Sequence, residues 1–540
     1  MDKYEKGDTQ VLTVNHTDNE SIIRADNLKL AELGYKSEFR REFSRLETIC
    51  FAFSIMGVVA SVSSTLSFGI FNGGHVGMVF GWLIPCCFVM FVALSMAELA
   101  SSMPTSAGLY YFSAKLSPPK YSPLASWITG WANVTGQVTL VCGIDFTCAQ
   151  MITTAIAVSS DGATILSSGA TFGILLAILF SHGIVCSSAT RVLARLNLFY
   201  VFINGKPLTL SFKFWIRLIL FAVGTSIAAI VALLVLSDGK RASTSDAFTL
   251  FENNSGWTSN GWTFMLAFTS PMWTLTGYDS AAHISEETAN AASAAPLAII
   301  VSVLGTASLG WLILIAASFA IPSVTEIIST DLPLPMGQVF LNVLGKHGML
   351  TIWSLIIVVQ YVTGAAQAVD ASRVVFAFAR DNALPGSKLW KKINRHTQTP
   401  VNAVWFVIGA SSLCGLLGFS ETALTSLAAS SVIGLYTSYA APIFLRITYG
   451  RDKLIPGPFS LGRWATPIGA IAVAWVTFIV VMLFFPPHQV TSAQDMNYSV
   501  VIIMGVFIFA SLSWVLSARK WFTGPVRNID ESPATSIKQA

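Results

Sequence analysis

Apolar runs separated by short polar stretches recur along this chain. Most have the length that a helix needs to cross hydrocarbon, about 20 residues for roughly 30 Å. The pattern predicts about twelve spans: Ile49–Phe71, Val79–Ser101, Ser126–Val158, Thr171–Ser188, a disrupted fifth, Gly261–Ala282, Pro296–Ile321, Met349–Val369, Val401–Phe419, Thr422–Leu445, Ala465–Phe485 and Tyr498–Leu516. The sixth breaks the pattern at its centre, where Thr269–Glu287 carries Pro271, Gly277 and Asp279. An acid in the middle of a lone transmembrane helix costs about 2.5–3.5 kcal/mol. Proline also removes a backbone hydrogen bond that hydrocarbon does not replace. Such a segment is viable where it lines a protein-walled, partly wet cavity.

The fifth span breaks the pattern differently. Leu196–Asn204 and Val223–Leu236 are each too short to cross, and between them lies Gly205–Ala222 with Lys206, Pro207, Lys213 and Arg217. Without that stretch the flanks join into one apolar span of ordinary length. Its Gly-Lys start and the Ala-Val at its end are both compatible with splice junctions, so it reads as a retained intron or an isoform insert. The alternative is a genuine loop or interfacial helix, which such basic and aromatic composition suits.

Composition supports the same class. Of 540 residues 53% are hydrophobic and 11% charged, against about 25% charged in soluble domains. A net charge of +4 is too small to suggest a nucleic-acid partner; the bilayer is the implied one. Lysines and arginines cluster before span one and after spans two, four, eight, ten and twelve, and the opposite side keeps only Lys240, Arg241 and Lys346. That asymmetry predicts both termini in the cytosol. The expected organisation is a disordered tail over 1–47, a first repeat over 48–238, an external loop over 239–260 and a second repeat over 261–446. Two further spans over 464–516 and a tail over 517–540 complete it. The external loop holds a glycosylation sequon at Asn253. The seven cysteines fall in apolar runs without metal spacing, so no metal site is expected.

Many secondary transporters contain two inverted five-helix repeats whose first helices are both unwound near the midplane. Spans one and six match in this respect. Gly57, Ser61, Ser63, Ser64 and Thr65 interrupt the first as Pro271, Gly277 and Asp279 interrupt the sixth. The expected fold is therefore an all-α integral membrane protein with a five-plus-five core and broken helices one and six. Polar stripes mark two more spans at helical spacing: Asn133, Gln137 and Asp145 on span three, and Gln360, Thr363, Gln367 and Asp370 on span eight. Such stripes face a cavity or each other.

Several motifs carry a family likeness. Ala97–Phe112 (A-E-L-A-S-S-M-P-T-S-A-G-L-Y-Y-F) resembles the second-helix signature of amino acid–polyamine–organocation permeases, and Ser372–Ser387 resembles their loop after helix eight. Trp273–Asp279, His283–Glu287 and Gly457–Trp464 are similar to the fungal branch that carries GABA, other amino acids and choline. The resemblance runs from about Phe39 to about Trp521, and Gly205–Ala222 departs from it. It implies uptake of an amino acid or related amine by alternating access, driven by a proton gradient and needing no cofactor.

Broken helices expose N–H groups at one half-helix start and carbonyls at the other half-helix end. A substrate carboxylate suits the first, placed near Ser61 and Ser64 with backbone from Gly57 and Val58. Trp273, Thr274 and Gly277 would face the amine and the aliphatic part, Trp273 matching the family's gating aromatic. Asp279 is a proton carrier, an attractor of the substrate cation or a structural carboxylate. Asp145 is the other acid of interest, Glu98 a packing and gating carboxylate, and Glu286 part of a polar collar with His283 and Glu287. A nutrient sensor of the same fold is the rival reading, disfavoured by two short tails. A membrane enzyme needs a catalytic or metal cluster, and His182 and His283 show no partners in sequence.

Overall fold

The computed structural model describes residues 21–526 except 37, 40, 42, 205–211, 238, 240, 398, 421 and 491–495; side chains over 189–217 and at 423 are also outside the description. Among the described residues eleven helices are long and apolar enough to cross a bilayer, and no strand occurs beyond isolated bridges. Every expected span except the sixth is among the eleven. The sixth exists in pieces, Asn260–Leu266, Thr269–Thr274 and Ser280–His283, each too short to cross alone.

Span one is broken where its glycine stands. Arg45–Met56 and Val58–Phe71 meet at Gly57, whose φ of 46° and ψ of 46° are left-handed. A side chain there would also collide with Thr363 of span eight. In an unbroken helix the Ser54 and Met56 carbonyls would accept from Val58 and Ala60. Here Thr363 Oγ1 donates to the Ser54 carbonyl at 3.0 Å and Ser61 Oγ to that of Met56 at 2.8 Å. The orphaned carbonyls are thus met by hydroxyls, as a dry interior demands.

In span six the interruption lies past the proline. Pro271 occupies the first turn of Thr269–Thr274, where a backbone N–H has no intrahelical partner, so it costs little. The chain leaves helical geometry after Thr274, Gly277 takes φ 98°, and helix resumes at Ser280. The two breaks face one another: a side chain at Gly277 would strike Ile55, and Thr65 and Ser270 hydroxyls lie 2.9 Å apart. Span three is a single helix, Ser122–Ser159, packed mainly on spans eight and ten.

Span five crosses as Leu218–Leu236 within the helix Phe212–Leu236. Leu218–Ala222, the end of the suspected insert, supplies the apolar residues that Val223–Leu236 lacks. Leu196–Asn204 instead prolongs span four as one helix, Ser168–Asn204. The start of the suspected insert, Gly205–Ser211, lies outside the described residues.

The expectation of a disordered tail over 1–47 fails from residue 21 onward. Residues 21–32 are helical, and Leu30, Tyr35 and Phe39 are buried against the ends of the spans. Their apolar side chains explain the difference, since a solvated tail would leave them in water. Tyr35 and Val526 both bond to Asp381, so the two ends of the described chain share one face of the molecule, called here the terminal face.

Gly57→Ala should lower the thermal midpoint of the purified protein, because the left-handed backbone alone costs about 1–2 kcal/mol with a side chain. Gly409→Ala is the control. It is helical with open space around its Cβ position, and it should be neutral or gain up to about 1 kcal/mol.

Candidate functional site

Just beyond the two breaks, towards the terminal face, spans three, six, eight and ten bring polar groups into one buried cluster. Asp279 Oδ2 lies 3.1 Å from His283 Nε2, one helical turn on, and Asp279 Oδ1 accepts from Tyr439 Oη of span ten at 2.6 Å. Gln137 Nε2 of span three donates to Asp370 Oδ2 of span eight at 2.9 Å and approaches Asp279 Oδ2 at 3.5 Å. Gln367 donates to the Gln137 side-chain carbonyl, and Asn133 Nδ2 stands 3.4 Å from His283 Nε2. Asp279, Asp370, Gln137 and Gln367 are all 0% exposed. Asp370 Oδ1 and Gln367 Oε1 lack any hydrogen-bond donor. His283 Nδ1 faces the Ser106 carbonyl at 3.4 Å, which favours the proton on that nitrogen and turns Nε2 towards the Asp279 carboxylate.

The ligand atoms of Asp279, His283 and Asp370 lie within 4.8 Å of one another, close enough to converge on one small cation. Above them Trp273 packs its ring on Gly143 of span three, and Gly277 stands beside Gln367 Oε1. Thr274 Oγ1 donates to the Ser270 carbonyl, so its hydroxyl serves the helix. On span one, Ser64 Oγ donates to the Ser61 carbonyl. Ser61 and Ser64 therefore spend their hydroxyls on backbone, leaving the half-helix start at Val58 and Val59 as the place where N–H groups lack a preceding turn.

A second layer closes the terminal face. Glu286 accepts from the Ser106 backbone N–H at 3.1 Å and from Arg380 at 3.3 Å, while Glu287 accepts from Arg373 Nε at 2.9 Å. The Asp381 carboxylate receives Tyr110, Tyr35 and the Val526 N–H; burial still pushes it above the ordinary carboxylate range, with the nearby Arg380 the largest opposing influence.

Comparison with known proteins identifies the family. The family model for amino acid permeases matches residues 43–508. An uncharacterised amino-acid permease of Schizosaccharomyces pombe is 36% identical over 96% of this chain and 93% of its own. The amino-acid permease BAT1 homolog of Oryza sativa is 36% identical over 93% of this chain and 96% of its own. A GABA-specific permease of Saccharomyces cerevisiae is 34% identical over 97% and 89%. This chain belongs to the amino acid permease family.

In the permease, several side chains lie elsewhere than their sequence pattern suggests. Asp145 does not share a face with Asn133 and Gln137. Eight residues from Gln137 leave it turned about 80° around the helix, towards span four, where it binds His182 Nδ1 at 3.0 Å. His182 and His283 both have buried carboxylate partners, contrary to expectation: Asp145 meets His182 through the packing of spans three and four, whereas Asp279 stands four residues before His283, a helical spacing already present in the sequence. His283 belongs to the inner cluster, not to the collar that Glu286 and Glu287 form. On span eight, Gln360 keeps to the face of Gln367 but meets span three two turns away from the cluster, donating to Thr147 and the Ile144 carbonyl. Glu98 accepts from Ser460 and the Leu461 N–H and pairs with Arg446 at 3.6 Å, a staple between span two and the segment after span ten. Asn253 of the sequon donates to the Trp257 carbonyl at 2.7 Å, so the amide nitrogen is engaged within the protein. Tyr439, bonded directly to Asp279, carried no sequence signal beyond being a tyrosine in an apolar run.

Asp145→Ala and His182→Ala should each destabilise the purified permease by about 3–5 kcal/mol, the cost of stranding one partner of a buried pair. The double variant should lose much less than the sum. Thermal or denaturant melts of the four proteins test this, and strict additivity would contradict the pairing.

Proposed function

We propose that the permease is a proton-coupled importer of an amino acid or a related amine, such as GABA or choline, and that Asp279, His283 and Asp370 hold the coupling proton. The observation that carries this reading is two carboxylates and an imidazole enclosed together beside the broken helices. Enclosed charge is costly in low dielectric, so a cluster with two carboxylates crosses its occluded state more cheaply with a proton aboard. The His283 Nε2–Asp279 Oδ2 contact is the natural place for it. Gln137, which reaches both acids, would relay the change of charge between spans three, six and eight.

The substrate site lies one turn further from the terminal face. A substrate carboxylate fits the half-helix start at Val58 and Val59, and an ammonium fits carbonyls released by the break after Thr274. Gln367 Oε1 is a further acceptor at that break. Trp273 bounds the site from span six. The terminal face is cytosolic in this reading, because it carries the basic loops, and the plasma membrane is the proposed location. Glu286–Arg380 and Glu287–Arg373 then form the cytosolic gate. A zwitterionic amino acid, GABA and the choline cation would all present a cationic nitrogen to the same few acceptors, and uptake of a labelled panel distinguishes them.

In permease-deficient cells, uptake of the best substrate should fall as external pH rises. Asp279→Asn and Asp370→Asn should cut uptake at least about tenfold at acidic pH and flatten the profile. An undiminished pH slope in both variants would count against these acids as proton carriers. The same assay with and without Gly205–Ala222 tests the insert: higher uptake after deletion is expected, and equal uptake would mark the stretch as a tolerated part of the protein.

A further inference from the structure

We propose that the described residues between 21 and 43 form a latch that holds the terminal mouth shut and has to lift before substrate leaves through it. The inference rests on the transport reading above and adds the regulation of its exit. The segment grips both sides of the mouth. At one end it is zipped to the tail of broken span six: the Phe43 N–H donates to the Glu287 carbonyl at 2.9 Å, and the Ala289 N–H donates to the Phe43 carbonyl at 2.9 Å. Arg41 Nη1 donates to the Thr288 carbonyl at 2.7 Å and to that of Ser285 at 3.3 Å, and the Asp26 carboxylate accepts from the Asn290 N–H at 2.7 Å. At the other end it holds span eight and the helix after span two. Tyr35 Oη donates to Asp381 at 3.1 Å, and Tyr111 Oη donates to the Leu33 carbonyl at 2.8 Å.

The latch also covers the gate itself. The Arg380 guanidinium, paired with Glu286, lies 4.3 Å from the centre of the Tyr35 ring. The Arg373 guanidinium, paired with Glu287, lies 5.8 Å from that of Phe39. One aromatic of the latch thus caps each ion pair of the gate, excluding water that would weaken it. Opening the mouth parts span six from span eight. Because the latch is bonded to both, it cannot stay seated on both while they separate. Each contact is of ordinary strength, so the latch is a removable clasp, and a cytosolic factor that captured residues 21–43 would release it.

Tethering tests this directly. The Tyr35 and Tyr111 rings are 5.6 Å apart between centres, so Tyr35→Cys with Tyr111→Cys brings two thiols within reach of a short bifunctional maleimide that contains a reducible link. The linked full-length protein, in proteoliposomes, should lose at least tenfold in net uptake of labelled amino acid and recover it when reductant cleaves the link. Uptake by the linked protein equal to that of the cleaved protein overturns the latch. A readout independent of transport uses Ser285→Cys, buried beneath Arg41, as a reporter in a chain whose exposed Cys87 is Ser. An impermeant maleimide added at the terminal face should label it at least fivefold faster when Tyr35→Phe and Arg41→Gln are both present, with the melting temperature within a few degrees. Unchanged labelling overturns the latch even if transport itself proves to be of another kind. Absence of uptake before linking, with accelerated labelling, upholds the latch and refutes the transport reading instead.

Discussion

A backbone carbonyl or a charge inside hydrocarbon has no water to turn to, and that constraint shapes the centre of this permease. Two helices are interrupted, at Gly57 and between Leu275 and Asp279, and every interruption frees polar backbone groups. Thr363 and Ser61 answer the carbonyls of Ser54 and Met56, and Tyr436 Oη reaches that of Leu275 at 3.4 Å. Spans eight and ten supply two of those partners and span one supplies the third from its own second half. What remains unanswered, chiefly the half-helix start at Val58 and the acceptors beside Gly277, is the surface to which the proposed function assigns the substrate.

Charge is handled in two distinct ways on the path to the terminal face. In the layer at the terminal face each carboxylate has its own arginine: Glu286 with Arg380, and Glu287 with Arg373. Balanced pairs of this kind hold two elements together and change little until they part. The inner cluster is unbalanced, with Asp279 and Asp370 sharing one imidazole and a set of neutral amides. An unbalanced enclosed cluster is a place where a mobile cation changes the energy of the occluded state, which is what coupling requires. Ser106 bridges the two layers, meeting His283 with its carbonyl and Glu286 with its N–H.

The architecture was legible in the sequence because hydrocarbon imposes a length and a polarity that few other environments do. Span number and the interruption of spans one and six follow from the apolar runs and the residues that break them. The misreadings share a cause. Asp145 with His182, and Asp279 with Asp370, are pairs made by packing between distant spans, and spacing along one helix does not report them. Eight residues along span three felt like one face and is not, since two turns of helix fall short of eight residues by a large angle. Residues 21–43 read as a solvated tail by composition, yet Leu30, Tyr35 and Phe39 are buried, with Tyr35 and Phe39 docking on the end of span eight and Tyr35 also on the helix after span two.

Substrate-driven proton movement in proteoliposomes, read with a trapped pH indicator and no imposed pH gradient, tests the central claim most directly. With coupling through the inner cluster, an inward substrate gradient acidifies the lumen. In the Asp279→Asn, Asp370→Asn double variant that acidification disappears while exchange of labelled for unlabelled substrate persists. Undiminished acidification in the double variant would show that the coupling proton travels elsewhere.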